Sequence, residues 1–279
     1  FKQKTAYEIR LSLVGSEMCI RDSDYVDEVV IVDSGSTDAT LEILKAYKVS
    51  VYSHPFENYS LQRNWAFSAI EITNNWILNI DADHRATAEL ISELQGKFNA
   101  GIAPQINGFM VSRKTIFMDR WVKYGGHYPT YHAVMFRNGK GHCEQKNYDQ
   151  HFVIDGKTEI LKGDIIDIIT DSLSNFTLRH NKWASLEAEE AVNDLKSEGI
   201  FIKPNKNGNP MEKRRYMKHK YYSYPIFLRV FIYFIIRYII KRGFLDGKEG
   251  LIFHFLQGFW FRLLVDAKIY ELQKRKLQK

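Results

Sequence analysis

The sequence predicts an α/β fold, and three observations indicate it. Short strands rich in β-branched residues alternate with helical segments over residues 26–98. Two of these strands end directly in acidic clusters, and 45% of the 279 residues are apolar, which suffices for a sizeable core. Alternating strands and helices favour a parallel sheet covered by helices. Such sheets bind ligands at the carboxyl ends of their strands, where the acidic clusters lie.

The first half of the chain contains the alternating elements. Residues 26–32 (VDEVVIV) predict a buried strand, and the polar loop 33–38 (DSGSTD) follows it. The next predicted elements are a helix over residues 39–47, a strand over 49–53, a helix over 59–70, a strand over 76–80 and a helix over 87–98.

The second half changes from alternating elements to longer strands and helices. Residues 108–117 and 131–137 predict strands, and residues 153–169 predict a hairpin that turns at Asp155-Gly156. The remaining predicted elements are a polar helix over residues 172–197, a Lys/Asn/Gly/Pro linker over 203–210, and two amphipathic helices over 216–240 and 251–272.

The positive charge is concentrated at the C-terminal end. The chain has a net charge of +6, yet residues 201–279 alone contain 18 Lys or Arg against 5 Asp or Glu. This asymmetry indicates an anionic partner for the C-terminal region. We therefore expect two regions, an α/β domain over residues 24–200, which contains the acidic clusters, and a basic, aromatic helical region over residues 201–279.

The apolar stretch at residues 225–240 predicts contact with a membrane surface. Its sixteen residues include Arg229 and Arg237, so it is too short and too charged to cross a bilayer. Lysines, arginines and tyrosines precede it, an order that favours an interfacial helix on an anionic membrane. The alternative is a second core helix. Nucleic acid is not an expected partner, because the cations alternate with a continuous apolar face.

Two acidic motifs contain the candidate chemistry. Asp81-Ala82-Asp83 follows an apolar strand directly, so two carboxylates converge at a strand end. Hard carboxylate oxygens at this spacing suit Mg²⁺ or Mn²⁺ bridging to a diphosphate. The loop from Asp33 to Asp38 suits a nucleoside held through its ribose or base. The structural alternative for both motifs is an ordinary turn, with Asp83 capping the next helix.

Together the two loops resemble the nucleotide-sugar site of glycosyltransferase family 2, whose members have the GT-A fold. In family order, the motifs are VVIVDSGSTDAT, QRNWA, WILNIDAD, RWVKYGGHYP, MFRNGKG, DQHFVIDG and GFLDGKEGLIFHFLQGF. The resemblance implies a GT-A-like, nucleotide-sugar-binding mixed sheet flanked by helices, with a C-terminal amphipathic helical region. The chain looks most like transferases of lipopolysaccharide core and exopolysaccharide, which act at the cytoplasmic face of the cell membrane.

The resemblance implies an inverting transfer from a nucleotide-diphosphate sugar to a glycan or lipid-linked acceptor. A general base takes the acceptor proton while Mn²⁺ or Mg²⁺ stabilises the leaving diphosphate. Asp83 is then the main metal ligand, and Asp81 contacts the ribose or, through water, the metal. The nucleoside end is expected to contact Asp33, Ser34 and Asp38.

The resemblance also assigns residues near the reacting groups. Asp149 is the expected general base, and His151 either competes for that role or is a histidine satisfied at a strand end. Arg63 meets the diphosphate or is a surface ion-pair partner. The expected acceptor residues, which core packing explains about as well, are Trp121, His127 and Tyr128.

The chain departs from the family pattern in two places. His84 stands where the family usually has Glu. Residues 2–9 (KQKTAYEI) and 12–23 (SLVGSEMCIRDS) resemble the translated constant parts of a sequencing-library adapter, in place of the family's first strand and helix. We therefore treat residues 1–23 as non-native and expect residues 8–14 to occupy the empty strand position. Transfer activity is expected to be absent, because part of the base pocket is missing.

Two other classes of protein stay open. A sugar nucleotidyltransferase shares the α/β sheet, but it requires a Gly-rich, basic phosphate loop where this chain has the acidic loop 33–38. A non-catalytic peripheral membrane protein would use only the basic C-terminal region.

Overall fold

The computed structural model describes residues 25–81, 84–169, 172–193 and 201–278. Asp83 and the adapter-like residues 1–23, with their predicted strand, lie outside the described residues. The described chain forms two compact units. Unit 1 contains the described parts of 25–113, 131–145 and 150–167, and unit 2 contains the described parts of 114–130, 146–149 and 168–278.

Unit 1 begins with a parallel β-α-β segment. Strands β1 (Val30–Asp33) and β2 (Ser50–Ser53) pair in parallel, and the short helix α1 (Thr40–Leu44) connects them. Ile31 and Leu44 are buried together between the helix and the strands. Because parallel strands in register end at the same edge, the loop that follows β1 lies at that edge.

Helix α2 (Tyr59–Ala69) follows the parallel pair. The side chain of Asn58 caps it by accepting a hydrogen bond from the backbone N–H of Leu61 at 2.9 Å. Gln62 and Arg63 are polar, yet both are buried on the inner side of this helix. Buried polar side chains require partners, and these partners form the candidate site described below.

A larger sheet has the strand order β3-β7-β5-β10-β4, with β6 paired to β5. The pairs β3–β7, β5–β7 and β10–β4 are antiparallel, and β8 and β9 form a separate antiparallel pair. The strands are β3 (Trp76–Leu78), β4 (His84–Ala86), β5 (Ile106–Phe117), β6 (Arg120–Trp121), β7 (Tyr131–Arg137), β8 (Gly141–Cys143), β9 (Phe152–Ile154) and β10 (Lys157–Ile168).

Helix α3 (Ala88–Ala100) covers this sheet. Thr87 caps it by accepting a hydrogen bond from the backbone N–H of Leu90, and the predicted alternative role of Asp83 as a cap lies outside the described residues. The core between helix and sheet includes Leu90, Phe109 and Ile165, which are completely shielded from solvent. Helices and a mixed sheet together form the GT-A-like α/β fold that the resemblance implies, so the predicted fold class is confirmed.

The strand pairing differs from the sequence prediction at three places. Strand β3 was expected to extend the parallel array but pairs antiparallel with β7. The turn at Asp155-Gly156 does not close a hairpin, because β9 pairs with β8 whereas β10 lies between β5 and β4. Strand β4 was not predicted, since its three residues carry no strand pattern and it is stabilised by pairing with β10. The periodicity of a short sequence segment does not show which distant strand will pair with it.

Unit 2 is mainly helical. Helix α4 (Leu173–Asn193) packs along the C-terminal helix α8 (Phe261–Leu277), and Ala184 and Phe261 are buried between them. Helix α5 (Pro210–Tyr222) starts after the predicted linker with a capping box, in which Asn209 and Glu212 satisfy each other's backbone N–H groups.

The single helix predicted over residues 216–240 is two helices. Helix α5 ends before Pro225, which has no N–H to continue it, and the chain turns at Phe227 with φ +66°. Helix α6 (Leu228–Ile235) then continues as π-helix over Ile236–Ile240. The last predicted helix was placed correctly within a longer helical stretch, which begins with α7 (Gly247–Phe253). Among the described residues, no helix is long and apolar enough to cross a membrane.

Candidate active site

The loop after β1 is held in shape by Asp33. Its buried carboxylate accepts hydrogen bonds from the backbone N–H groups of Gly35 at 2.8 Å and Ser36 at 3.1 Å. Gly35 has φ +84°, a conformation that side chains with a Cβ rarely adopt. Asp33 therefore organises the loop that was expected to bind the nucleoside, and direct contact with a nucleoside stays a prediction.

Gln62 connects this loop to the neighbouring strand and helix. Its amide nitrogen donates to the hydroxyl of Ser34 at 3.0 Å, and its amide oxygen lies 2.7 Å from Nδ1 of His54. The His54 ring stacks on Trp65 with 4.1 Å between ring centroids. The predicted nucleoside residue Ser34 is thus fixed by α2, a link that the QRNWA motif alone did not reveal.

Asp38 lies at the other end of the loop. Its side chain is exposed, and Oδ1 accepts a hydrogen bond from the backbone N–H of Thr40 at 3.0 Å. The carboxylate also stabilises the first turn of α1 near the positive end of the helix dipole. The predicted contact of Asp38 with the nucleoside stays a prediction.

Arg63 and Asp81 form the central ion pair of the site. The Arg63 guanidinium donates to Oδ1 of Asp81, to Oδ1 of Asn79 and to the hydroxyl of Tyr59, the last at 2.9 Å. Its side chain is buried, so Arg63 is an ion-pair partner, as the alternative predicted, but it does not lie on the surface. The predicted contact with the diphosphate stays a prediction. The contacts bring Arg63 and Asp81 together from α2 and the end of β3.

Asp81 is held in its ionised form. Burial alone would raise its pKa, but the positive charge of the Arg63 guanidinium, with a smaller effect of Arg113, outweighs burial and holds that pKa far below the ordinary value. The Tyr59 hydroxyl also donates to Asp81 at 3.0 Å. About a quarter of the Asp81 side chain remains exposed to solvent (26%), so a ligand can reach the carboxylate.

His84 occupies the position where the family usually has Glu. Its Nδ1 accepts a hydrogen bond from the backbone N–H of Asp81 at 3.2 Å, so the proton of a neutral ring lies on Nε2. Nε2 lies 3.7 Å from Oδ2 of Asp81 and 3.9 Å from Oδ1 of Asp167. Where the family usually has a carboxylate, this chain therefore has a hydrogen-bond donor, Nε2 of His84, which faces the carboxylates of Asp81 and Asp167.

The predicted metal pair is described only in part, because Asp83 lies outside the described residues. Within the described ranges, no group of three or more His, Cys, Asp or Glu side chains is placed to hold a metal ion. Mg²⁺ commonly binds through one or two carboxylates, with substrate phosphates and water as further ligands. The partly exposed, ionised Asp81 fits a cation shared with a diphosphate.

His151 and Glu144 lie together at the end of the β8–β9 pair. Glu144 is 1% exposed and His151 is 7% exposed. Oε2 of Glu144 accepts a hydrogen bond from the backbone N–H of His151 at 3.0 Å and lies 3.3 Å from its Nδ1. Glu144 was not predicted as a site residue, since it has no motif neighbour in the sequence and only hairpin pairing brings it to His151.

Asp149 belongs to unit 2, whereas His151 belongs to unit 1. Oδ2 of Asp149 lies 2.8 Å from Nζ of Lys218 and 3.5 Å from a guanidinium nitrogen of Arg215. The backbone of Asp149 is left-handed, with φ +56°. The predicted base is therefore a carboxylate engaged by two cations from α5.

The three predicted acceptor residues lie in unit 2. The rings of Trp121 and Tyr128 meet edge to face with 5.1 Å between centroids. Nε2 of His127 lies 2.9 Å from the hydroxyl of Thr115. The structure thus brings Trp121 and Tyr128 together, and the role of all three in acceptor binding stays a prediction.

The family of the protein follows from its match to known sequences. Residues 16–156, half of the chain, match the family described as Glycosyl transferase family 2. The chain therefore belongs to this family of glycosyltransferases. The matched residues contain both acidic loops, the Arg63–Asp81 ion pair and the Glu144–His151 pair.

Individual relatives make the relationship more specific. The chain is 24% identical over 269 aligned residues to the lipopolysaccharide core biosynthesis glycosyltransferase LpsC of Rhizobium meliloti, which covers 91% of this chain and 86% of LpsC. It is 25% identical over 259 residues to an uncharacterized glycosyltransferase of Rickettsia typhi, covering 88% and 78% of the two chains. A Rickettsia felis glycosyltransferase is 43% identical over 70 residues only, a quarter of this chain. The predicted relationship to lipopolysaccharide-core transferases is confirmed at low identity.

Proposed function

We propose that the protein is an inverting glycosyltransferase that moves a sugar from a nucleotide-diphosphate sugar to a lipid-linked glycan. The observation that supports this most strongly is the ionised Asp81 carboxylate at the end of β3, fixed by Arg63 and still reachable from solvent. The similarity to LpsC, a lipopolysaccharide core biosynthesis glycosyltransferase, supports lipopolysaccharide or a related cell-surface polysaccharide as the product.

The donor is proposed to bind along the edge formed by the loop after β1 and the residues after β3. Ser34 and Asp38 offer oxygens to the nucleoside, and Asp33 holds their loop in shape. Asp81, with Asp83, would hold Mg²⁺ or Mn²⁺, which stabilises the negative charge that develops on the leaving diphosphate. Fixed charges that need no rearrangement during reaction are the main source of such stabilisation.

The contacts favour His151 over Asp149 as the general base. Lys218 and Arg215 stabilise the ionised form of Asp149, and a stabilised carboxylate is a weaker base. His151 instead faces the carboxylate of Glu144, which stabilises the positive charge that the ring gains with a proton.

The proposed reaction is a single displacement. Nε2 of His151 takes the proton of the acceptor hydroxyl, and the acceptor oxygen forms a bond to the anomeric carbon. The bond from that carbon to the diphosphate oxygen breaks, and the nucleoside diphosphate leaves with the electron pair. Attack from the side opposite the leaving group inverts the anomeric configuration.

The two candidate bases are separated by paired substitutions. Since residues 1–23 are predicted to replace the family's first strand and helix, we define the restored chain as this protein with residues 1–23 exchanged for the N-terminal segment of LpsC. In the restored chain, His151→Gln is expected to lower transfer about 100-fold or more, because general-base catalysis contributes on that scale. Asp149→Asn is expected to keep transfer within about threefold of the parent.

Mass spectrometry measures product formation, and calorimetry measures donor binding. Both variants should bind the donor like the parent. Loss of transfer in Asp149→Asn with normal transfer in His151→Gln would assign the base to Asp149 instead.

Unit 2 presents an apolar stripe to solvent. Along α6 and its π-helical continuation, large apolar side chains recur every three or four residues and are 37% to 68% exposed. The stripe consists of Leu228, Phe231, Ile232, Ile235, Ile239 and Ile240. A contiguous exposed apolar face of this kind marks an interaction surface.

An anionic membrane surface is the proposed partner of the stripe. Lys241 and Arg242 follow it directly, and both are exposed. Helices that lie on anionic membranes combine an apolar face with lysine and arginine. The stripe would therefore hold the protein at the cytoplasmic face of the cell membrane, with Lys241 and Arg242 near the lipid phosphates.

The predicted acceptor loop is bonded to the segment that carries the stripe. Nε of Arg237 donates to the carbonyl of Gly125 at 2.9 Å, and another Arg237 nitrogen lies 3.2 Å from Nδ1 of His127. The backbone N–H of Gly125 donates to the carbonyl of Lys241 at 2.9 Å. Burial and the charge of Arg237 hold the pKa of His127 well below 6.5, so the neutral ring accepts this bond. A loop fastened to a membrane-facing helix suits an acceptor anchored in lipid.

Vesicle binding tests the membrane surface. Ile235→Ser combined with Ile239→Ser is expected to weaken binding to phosphatidylcholine vesicles containing phosphatidylglycerol by about tenfold or more, because two apolar side chains no longer enter the lipid. Leu178→Ser is the matched control, since Leu178 is 52% exposed but lies on α4. Co-sedimentation with the vesicles at low and high salt measures the effect.

Two results would contradict the membrane assignment. The first is equal binding of the parent, the double variant and the control. The second is a parent that forms a dimer without vesicles and a double variant that is a monomer, which would place a second copy of the chain on the stripe.

A further inference from the structure

A row of charged side chains crosses three adjacent strands of unit 1. Arg113 lies on β5, Asp167 on β10 and His84 on β4, and β10 lies between the other two strands. The register of the β10–β4 pair sets Asp167 directly opposite His84. The row continues to the residues after β3, because Nε2 of His84 lies 3.7 Å from Oδ2 of Asp81. Arg113 therefore belongs to the same cluster of charged groups as Asp81.

The guanidinium of Arg113 is incompletely paired. One of its terminal nitrogens lies 3.9 Å from Oδ2 of Asp167, which is longer than a hydrogen bond. Its Nε is buried and has no hydrogen-bond partner among the described residues. Buried donors in folded proteins are nearly always paired, so an unpaired one requires an explanation. A quarter of the side chain is exposed (25%), so an anion in solution can reach this guanidinium.

Arg63, the predicted contact of the diphosphate, is in the opposite situation. Its side chain is 3% exposed. Its terminal nitrogens donate to the side chains of Asp81, Asn79 and Tyr59. A phosphate would bind Arg63 only by displacing groups that hold Asp81 in place. Arg113 instead exchanges a long ion pair for the phosphate, which costs less because the attraction between charges falls with distance.

The charge of the cluster permits an anion there. Burial raises the pKa of Asp81, but the larger effect of Arg63 and the smaller effect of Arg113 lower it. Among the described residues of the cluster, the carboxylates of Asp81 and Asp167 are balanced by these two guanidinium groups. With the family's usual Glu in place of His84, the same cluster would carry an excess negative charge that repels phosphate.

We propose that Arg113 binds the diphosphate of the sugar donor beside Asp81. This inference rests on the proposed function, because it takes the donor to be a nucleotide-diphosphate sugar. A planar guanidinium binds phosphate oxygens through two parallel hydrogen bonds. When the bond from the anomeric carbon to the diphosphate oxygen breaks, the electron pair leaves with the nucleoside diphosphate. Arg113 stabilises that added negative charge and keeps all its protons.

Binding of inorganic pyrophosphate tests the site without any sugar transfer. Calorimetric titration of the full chain with pyrophosphate and Mg²⁺ is expected to show binding about tenfold or more weaker in Arg113→Gln than in the parent. A hydrogen bond between charged groups contributes on that scale. Arg113→Lys is expected to lie between the two, because lysine keeps the charge but not the paired N–H groups. Circular dichroism verifies that both variants are folded.

Arg137→Gln is the matched control. Arg137 lies on β7, which is next to β5 in the sheet. Its Nε donates to the carbonyl of Ile106 at 2.9 Å, and its guanidinium lies 4.7 Å from the ring centroid of Trp76. The substitution removes the same charge from unit 1 outside the row, so pyrophosphate should bind this variant as it binds the parent.

Kinetics of the restored chain identify the substrate that carries the anion. In Arg113→Gln, the KM for the donor and the inhibition constant of the nucleoside diphosphate are each expected to rise about tenfold. The KM for the acceptor is expected to stay unchanged. A higher acceptor KM with an unchanged donor KM would place Arg113 on an anionic group of the acceptor and overturn the proposal.

The pyrophosphate titration separates this inference from the proposed function. Three results would overturn the role of Arg113: a parent that does not bind pyrophosphate, parent-like binding by Arg113→Gln, or equal weakening in Arg137→Gln. A restored chain that transfers no sugar from any donor would overturn the proposed function. Pyrophosphate binding that depends on Arg113 would still support a diphosphate site at this residue.

Discussion

Asp81→Asn in the restored chain is expected to lower sugar transfer by about three orders of magnitude, since a fixed charge aimed at a developing charge is worth several kcal/mol. The substitution removes the negative group that would share a divalent cation with the diphosphate. It also leaves the buried Arg63 guanidinium without its carboxylate partner. Initial rates of nucleoside diphosphate release, with saturating Mg²⁺ or Mn²⁺, measure the loss.

Two further variants keep this prediction interpretable. Asp155→Asn removes an exposed carboxylate elsewhere in unit 1 and is expected to leave transfer unchanged. Asp81→Glu retains the charge next to Arg63, so it should fold like the parent while misplacing the carboxylate by one methylene. Parent-like transfer in a folded Asp81→Asn protein would remove Asp81 from the donor site.

Asp266→Ala is expected to lower the free energy of unfolding by about 3–5 kcal/mol, the cost of leaving a buried charge without its partner. The Asp266 side chain is completely buried and accepts hydrogen bonds from Nε of Arg229 at 3.0 Å and from the backbone N–H of Phe227 at 2.7 Å. Phe227 has a positive φ where the chain turns between α5 and α6. Asp266 therefore stabilises the start of the apolar stripe, and its loss should also weaken vesicle binding.

Urea denaturation followed by circular dichroism measures this effect. Glu271→Gln is the control, because its ion pair with Arg275 is exposed and contributes less than about 0.5 kcal/mol. Asp266→Leu with Arg229→Met should recover much of the lost stability, since no unpaired charge remains. A change below about 1 kcal/mol in Asp266→Ala would show that the ion pair is not a major source of stability.

The order of elements in unit 1 was predictable because it follows from local patterns. The β-branched run that became β1 and the helical spacing of α2 are periodicities within short windows of sequence. The pairing of β3 with β7 was not predictable in this way, since the two strands are more than fifty residues apart. The break between α5 and α6 had a local signal in Pro225, which the apolar periodicity around it obscured.

The candidate site was predicted as motifs, but its contacts were not. Both acidic loops were identified, because carboxylates after apolar strands are visible in the sequence. The burial of Arg63 against Asp81 depends on how α2 packs, and the periodicity of the sequence does not predict this packing. Glu144 had no motif at all, and it joins His151 only through backbone pairing of two short strands.

The most direct test of the account is transfer to a membrane-anchored acceptor. The restored chain is incubated with Mg²⁺ or Mn²⁺, a panel of nucleotide-diphosphate sugars, and lipopolysaccharide-core acceptor in anionic vesicles. Mass spectrometry then measures the mass of the acceptor. We expect one donor to add a single sugar to the acceptor and to release a nucleoside diphosphate, and we expect Asp81→Asn to abolish both. Vesicle binding with no sugar added and no diphosphate released from any donor would contradict the account and favour a non-catalytic membrane protein.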